Sequence, residues 1–112
     1  MTLRFGEVVL IRMQFHQAPG SKVRLALVLL DTGDDDLIAA PITSQPRFSD
    51  YDLAIENWRA AWLNVASSVR IHKLTALAKA EVVRSLGLVS DADLKSLTDV
   101  VCRAFCPQAD GK

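Results

Sequence analysis

The stretch SKVRLALVLLDTGDDDLIAAPITS, residues 21–44, contains two apolar runs separated by a short polar turn. The runs 23–30 and 37–42 have the composition of buried strands. The acidic turn between them carries one glycine and is a natural hairpin connection. Pro41 has no backbone N–H, so the second strand is expected to end at a sheet edge or a bulge. The stretch therefore predicts a β-hairpin.

The open end of this hairpin is predicted to be polar. Residues equidistant from the turn face each other, and with the turn centred near Asp34, Arg24 and Thr43 both fall at the open end. The loop before the hairpin joins the same end and adds His16, Gln17 and Lys22. This rim is open to two interpretations. It is either ordinary polar loop chemistry or a site for a phosphate or oxyanion, which arginine binds through its forked donors.

Further strands are predicted on both sides of the hairpin, at 8–15, 51–55 and 68–71. The segment ENWRAAW reads as one short helical turn, and 79–86 is ambiguous between strand and helix. The final segment LVSDADLKSLTDVVCRAF predicts a helix with Ser90 as its N-cap and Asp93 completing a shortened capping box. Its docking stripe consists of Leu94, Leu97, Val101, Ala104 and Phe105.

Together these elements predict a mainly β fold, a small and strongly curved β-barrel with a C-terminal amphipathic helix packed on it. At 112 residues the chain is expected to form one domain over 1–106, with a disordered tail at 107–112. Half of the residues are hydrophobic, which favours a homodimer. The longest apolar run is too short for a membrane span and there is no signal peptide, so we expect a cytoplasmic protein without membrane contact.

Charge and motifs exclude several classes of function. The 13 basic and 13 acidic residues cancel, which argues against a strongly electrostatic, sequence-blind nucleic-acid binder. The sequence has no glycine-rich phosphate loop and no H-x-x-x-H or C-x-x-C pattern. Cys102 and Cys106 are awkwardly spaced for a disulfide and have no nearby histidine, so they are interpreted as thiols on a packing helix. Neither a metal nor a cofactor is expected.

The order of several short segments resembles the MazF/PemK-type toxins of bacterial toxin–antitoxin pairs, in particular the PemK-like branch. The segments are GEVVLI, RLALVLL, APITSQ, DYDLAIENWRAAWL, SSVRIHKL and RSLGLVSDADL, and they cover residues 6–105. The resemblance implies a homodimeric SH3-like barrel that cleaves single-stranded RNA such as mRNA without a metal. The products would carry 2′,3′-cyclic phosphate and 5′-hydroxyl ends, and an antitoxin protein would silence the enzyme.

The resemblance also assigns roles to residues. It implies that Arg24 and Thr43 are the central catalytic residues, and His16 is our candidate for the general base. The expected RNA-binding residues are Gln17, Lys22, Ser44, Gln45, Arg47 and Arg70.

The chain departs from the family pattern at four places, the first of which is the loop HQAPGSK before Arg24, where family members commonly have a Gly-x-Glu-Gln pattern. Leu25 stands where proline usually follows the arginine, Trp62 stands where the PemK-like branch usually has glycine, and Ser67-Ser68 replaces an acidic residue and a glutamine. A mechanism that needs that carboxylate cannot operate here. Two alternatives remain: a toxin of the same fold that binds a protein target such as DNA gyrase, and an inactive family member that serves as a binding module.

Overall fold

The computed structural model describes residues 2–14 and 21–107. It contains seven strands and a C-terminal helix, which confirms the predicted mainly β fold. The strands are β1 (Glu7–Gln14), β2 (Ser21–Asp31), β3 (Asp36–Thr43), β4 (Asp52–Ala54), β5 (Ser68–Arg70), β6 (Thr75–Ala78) and β7 (Val82–Leu88). The helix α1 spans Asp91–Phe105, and 3₁₀ turns occupy Ile71–Lys73 and Lys79–Glu81.

The strands form one antiparallel sheet in the order β4-β5-β3-β2-β1-β7, and β6 also pairs with β3. Among the described residues β4 and β7 remain at opposite ends of this order, so the sheet is curved but does not close. The ambiguous segment 79–86 begins as a 3₁₀ turn and continues as β7. β6 has no counterpart among the predicted strands.

Alternating side chains of β1 and β2 build two apolar clusters, one on each face of the sheet. Val8 and Leu27 belong to the cluster that α1 covers with Leu97 and Val100. Their neighbours Val9 and Val28 belong to the opposite cluster. This explains why β2 is apolar at nearly every position, because both of its faces are covered in its central part.

The helix begins as predicted but is anchored differently. The Ser90 side chain accepts a hydrogen bond from the backbone N–H of Asp93, as an N-cap should. The reciprocal contact of the capping box comes from a side chain, because the buried Asp93 carboxylate accepts from the Ser90 hydroxyl at 3.2 Å. The same carboxylate also accepts from the backbone amides of Glu56 and Asn57 at 2.9 Å each. The predicted stripe is correct at Leu97, whereas Phe105 at its end is 55% exposed.

The β2–β3 hairpin contains one irregularity. Leu30 pairs with Ile38 and Val28 pairs with Ala39, so β2 has one more residue than β3 at this point. The turn is closed by carboxylates, since Asp31 accepts from the Gly33 amide and Asp34 accepts from the Asp36 amide. Gly33 has a φ of 82°, a conformation that glycine adopts without steric cost.

The remaining predictions concern the two cysteines, membrane-spanning segments and the C-terminal tail. Cys102 and Cys106 are free and exposed. Within the described ranges no helix is long and apolar enough to cross a membrane. Most of the predicted disordered tail, residues 108–112, lies outside the described residues.

Candidate functional site

The site begins where β3 loses its pairing with β2. The pairing of β2 with β3 ends at Ala26 and Pro41, and Pro41 has no N–H to continue the ladder. The last two residues of β3 pair instead with β5, Ile42 opposite Val69 and Thr43 opposite Ser68. The start of β2 stays with β1. The two strands therefore separate and leave a groove between them.

This groove has a volume of about 750 Å³, and Arg24 and Thr43 both line it. We call it the main groove. The register of the hairpin, extended two residues beyond Ala26 and Pro41, brings Arg24 opposite Thr43. The remaining lining residues are Leu10, Val23, Leu25, Ile42, Ser44, Gln45, Trp62, Leu63, Asn64, Val65, Ser67, Arg84 and Leu86.

Thr43 is held by the loop that follows it. Its Oγ1 accepts a hydrogen bond from the Gln45 amide at 3.1 Å. A hydroxyl that accepts in this way keeps its own hydrogen for donation to another group. Arg24 lies on an exposed part of β2. The groove thus combines a permanent cation with a positioned hydroxyl, which is the donor set that an anionic oxygen needs.

A second groove of about 560 Å³ adjoins the first. Ser44, Gln45 and Ser67 line both grooves. Arg47 lines the second groove and donates through Nη2 to the Gln45 Oε1 at 3.0 Å. The structure therefore brings Ser44, Gln45 and Arg47 together next to the Arg24–Thr43 pair.

Arg70 is engaged elsewhere. Its Nε donates to Oδ1 of Asp52 at 2.9 Å, and only 1% of the Asp52 side chain is exposed. Burial alone would raise the pKa of Asp52, but hydrogen bonds from Ser49 and Arg70 outweigh it and lower the pKa from 3.8 to about 2. Arg70 lines neither groove. Its assignment to RNA stays a prediction.

Three further predicted residues lie near or beyond the edge of this region. Lys22 is exposed on β2, two residues before Arg24, and does not itself line the main groove. His16 and Gln17 fall outside the described residues. In the part of the chain that is described, no three His, Cys, Asp or Glu side chains cluster closely enough to hold a metal ion.

Trp62 also lines the main groove. The sequence analysis noted this residue only because the PemK-like branch usually has glycine at its position. Residues 57–62 form successive turns, and the last closes with Trp62 N–H donating to the Arg59 carbonyl and Leu63 N–H to the Trp58 carbonyl, both at 3.0 Å. This pattern is a Schellman motif, and Trp62 takes its left-handed position with a φ of 63°. A side chain there costs about 1–2 kcal/mol, so glycine is the usual residue.

Sequence reasoning also missed Arg84 and Asn64 as groove residues. Arg84 lies in the segment that was ambiguous between strand and helix, so its neighbours were unknown. In β7 it pairs with Leu10, which pairs on its other side with Leu25. This alignment brings the second cation into the main groove.

Comparison with models of known protein families identifies one family. A family model described as PemK-like, MazF-like toxin of type II toxin–antitoxin system matches residues 4–105. A search of curated protein sequences gave no match.

Several solved structures share the fold. The Mycobacterium tuberculosis toxin MazF-mt6 superimposes with a TM-score of 0.72 at 17% identity, covering 88% of this chain and 95% of that one. An endoribonuclease from a mycobacterial species, solved with its cognate antitoxin, also gives a TM-score of 0.72 at 17% identity, covering 92% and 94%. A further mycobacterial endoribonuclease gives 0.69 at 16% identity, covering 89% and 88%. At these identities the likeness establishes the fold.

Proposed function

The chain belongs to the family of PemK-like, MazF-like toxins of type II toxin–antitoxin systems, and we propose that it is an endoribonuclease that cleaves single-stranded RNA, including mRNA, without a metal ion. The observation that carries the proposal is the presence of Arg24 and Thr43 in one open groove. Hydroxyl and amide side chains beside this pair give the groove further donors and acceptors for RNA.

The proposed reaction uses the substrate's own nucleophile. The ribose 2′-hydroxyl loses its proton and attacks the adjacent phosphorus, and the bond from phosphorus to the 5′-oxygen breaks. The 5′-oxygen takes up a proton, which leaves a 2′,3′-cyclic phosphate and a 5′-hydroxyl. Arg24 and Thr43 would bind the phosphorane oxygens, whose negative charge is greatest in the transition state.

Arg24 is not assigned to accept the 2′-proton, because an arginine side chain offers hydrogen-bond donors and no acceptor. We propose His16 as the general base, since histidine is the side chain most often used for this role and His16 precedes β2 in the sequence. The flanking RNA would be bound by Gln17, Lys22, Ser44, Gln45, Arg47 and Arg70.

We further propose a cytoplasmic homodimer that is inhibited by a cognate antitoxin. Support for the dimer comes from exposed apolar side chains of the sheet, Val23 and Leu30 on β2 and Val83 on β7, which are 46–51% exposed. Support for the antitoxin comes from the family and from the mycobacterial endoribonuclease solved with its own. An extended acidic segment lying over the main groove would cover Arg24. Sedimentation of the purified protein, alone and with the antitoxin, tests both assemblies.

The activity is tested by incubating purified protein with a long RNA in the presence of EDTA and mapping the new ends. We expect 5′-hydroxyl and 2′,3′-cyclic phosphate ends, and a rate about 10²–10³ lower for Arg24→Ala. Arg4→Ala removes the same charge from an exposed residue outside the main groove and should cleave like the wild type. Intact RNA from a well-folded sample would contradict the proposal and lead to a gyrase-binding assay.

A further inference from the structure

Trp62 combines a strained backbone with an exposed side chain. Its φ of 63° belongs to a position that favours glycine, yet the residue is 72% exposed. Strain of this kind is usually offset when a large side chain is buried in the core, and here most of the surface stays open to solvent. The tryptophan is therefore poorly explained by folding alone.

The indole is nevertheless held in one place. A β-carbon built on Gly87 would lie 2.6 Å from Cδ1 of Trp62 and 3.3 Å from its Nε1. Gly87 is not among the described residues with positive φ, so the absence of a side chain there makes room for the ring and is not needed for the backbone. The pyrrole edge of the indole rests on β7, which orients the ring and leaves the rest of it exposed.

The ring is also held beside polar groups that suit a nucleic acid. Trp62 lines the same groove as Arg24, Thr43 and Arg84, and Asn64 follows two residues later. Sites for single-stranded nucleic acid combine cations that bind the phosphates with aromatic rings on which the bases stack. An exposed ring beside two arginines is the combination that such sites use, so the arrangement favours RNA as the occupant.

We propose that Trp62 is a stacking platform for a nucleobase of the bound RNA, adjacent to the phosphate held by Arg24 and Thr43, and that Arg84 binds a neighbouring phosphate. This inference rests on the proposed function, because it assigns a base subsite in the same groove. It also explains the departure from glycine, since glycine would satisfy the backbone but offer no ring.

The proposal predicts that stability and RNA affinity change in opposite directions. Trp62→Gly removes the unfavourable left-handed conformation, so its melting temperature should equal or exceed that of the wild type. Its affinity for single-stranded RNA should fall by about 5- to 100-fold, because one base loses its stacking partner. Trp62→Phe, which keeps an aromatic face, should retain most of the affinity. A role in folding alone would lower stability and leave affinity unchanged.

The contact itself can be observed by fluorescence. Trp58 and Trp62 are the two tryptophans of the chain, so Trp58→Phe leaves Trp62 as the single reporter. The probe is a mixed-sequence, single-stranded 2′-O-methyl RNA, which lacks the nucleophile and is not cleaved. We expect saturable quenching of Trp62, with a midpoint that matches the affinity measured by polarisation. An Arg84→Gln substitution should weaken binding and reduce its dependence on salt.

The outcomes separate this inference from the proposed function. RNA binding without quenching, or unchanged affinity in Trp62→Gly, overturns the stacking platform even if the wild type cleaves RNA. Quenching by an acidic peptide such as polyglutamate but not by RNA also overturns it and assigns the indole to a protein partner. Quenching by RNA together with no cleavage of natural RNA supports the platform and contradicts the endoribonuclease.

Discussion

The Asp93 carboxylate on α1 accepts a hydrogen bond from the backbone amide of Asn57, with 2.9 Å between Oδ2 and the nitrogen. A second bond from the Glu56 amide ties the start of the helix to the loop before Trp62. Asp93→Ala would leave both amides without their charged acceptor, and we expect the free energy of unfolding to fall by about 2–4 kcal/mol. Urea denaturation measures the loss.

The matched control for Asp93 is Asp91→Ala, two residues earlier. Asp91 is also in the first turn of α1 but is exposed. Its removal should cost only about 0.3–1 kcal/mol through the helix dipole. Equal losses in the two variants would show that the contact with the loop contributes little.

Gly87→Ala tests how closely Trp62 lies against β7. The new methyl group would meet the indole at 2.6 Å, so the ring must move. We expect a loss of roughly 1–3 kcal/mol in the wild type, and little or none in a Trp62→Gly background, where the space is free. The four proteins form a double-mutant cycle in thermal or urea unfolding. The same cost in both backgrounds would argue against the contact.

Asp52 should make the protein sensitive to acid. Its pKa is lowered from 3.8 in the unfolded chain to about 2 in the folded protein, so its ion pair with Arg70 stabilises the fold above pH 4. That contribution is lost as the pH falls from about 4 to about 2. Asp52→Asn should therefore be less stable than the wild type at pH 7, with the difference shrinking towards pH 2. Melting temperatures measured across this range give the comparison, and a constant difference would contradict it.

Thr43 is predicted to act through its hydroxyl. Thr43→Val keeps the shape of the side chain but removes the donor, and we expect RNA cleavage to slow by about 10²-fold or more. Thr43→Ser keeps both the donor and the bond from the Gln45 amide, so it should remain within a few-fold of the wild type. Single-turnover cleavage rates compare the two. Equal rates for both variants would remove Thr43 from the catalytic groups.

The hairpin and its polar end could be predicted because both depend on local signals. Turn residues around Gly33 and strand composition fix which strand ends meet, and counting outward from the turn brings Arg24 and Thr43 to the same end. Pro41 has no backbone N–H, and this covalent property predicted that a hydrogen-bond ladder between strands ends near it. The groove itself follows from that interruption, because the pairing of β2 with β3 ends at Pro41.

Contacts between distant segments could not be predicted in this way. Asp93 was interpreted as part of a capping box with Ser90, but its carboxylate also accepts from the amides of residues 56 and 57, which are far away in sequence. Arg70 was assigned to RNA by the resemblance, and its ion pair with Asp52 on the neighbouring strand was not predicted. Which cation meets which carboxylate depends on the register of β4 against β5, which short strands specify weakly.

The extra residue in β2 near the hairpin turn has a consequence for the catalytic pair. If the pairing of Leu30 with Ile38 continued without interruption, Thr43 would stand opposite Leu25 and Arg24 opposite Ser44. The one-residue insertion at Leu29 changes the parity of the strand, so the charge and the hydroxyl share one face. The function of this small fold therefore depends on the number of residues in β2: the turn at 32–35 can vary in length, whereas a single insertion between Leu25 and Leu29 would bring Leu25 opposite Thr43 in place of Arg24.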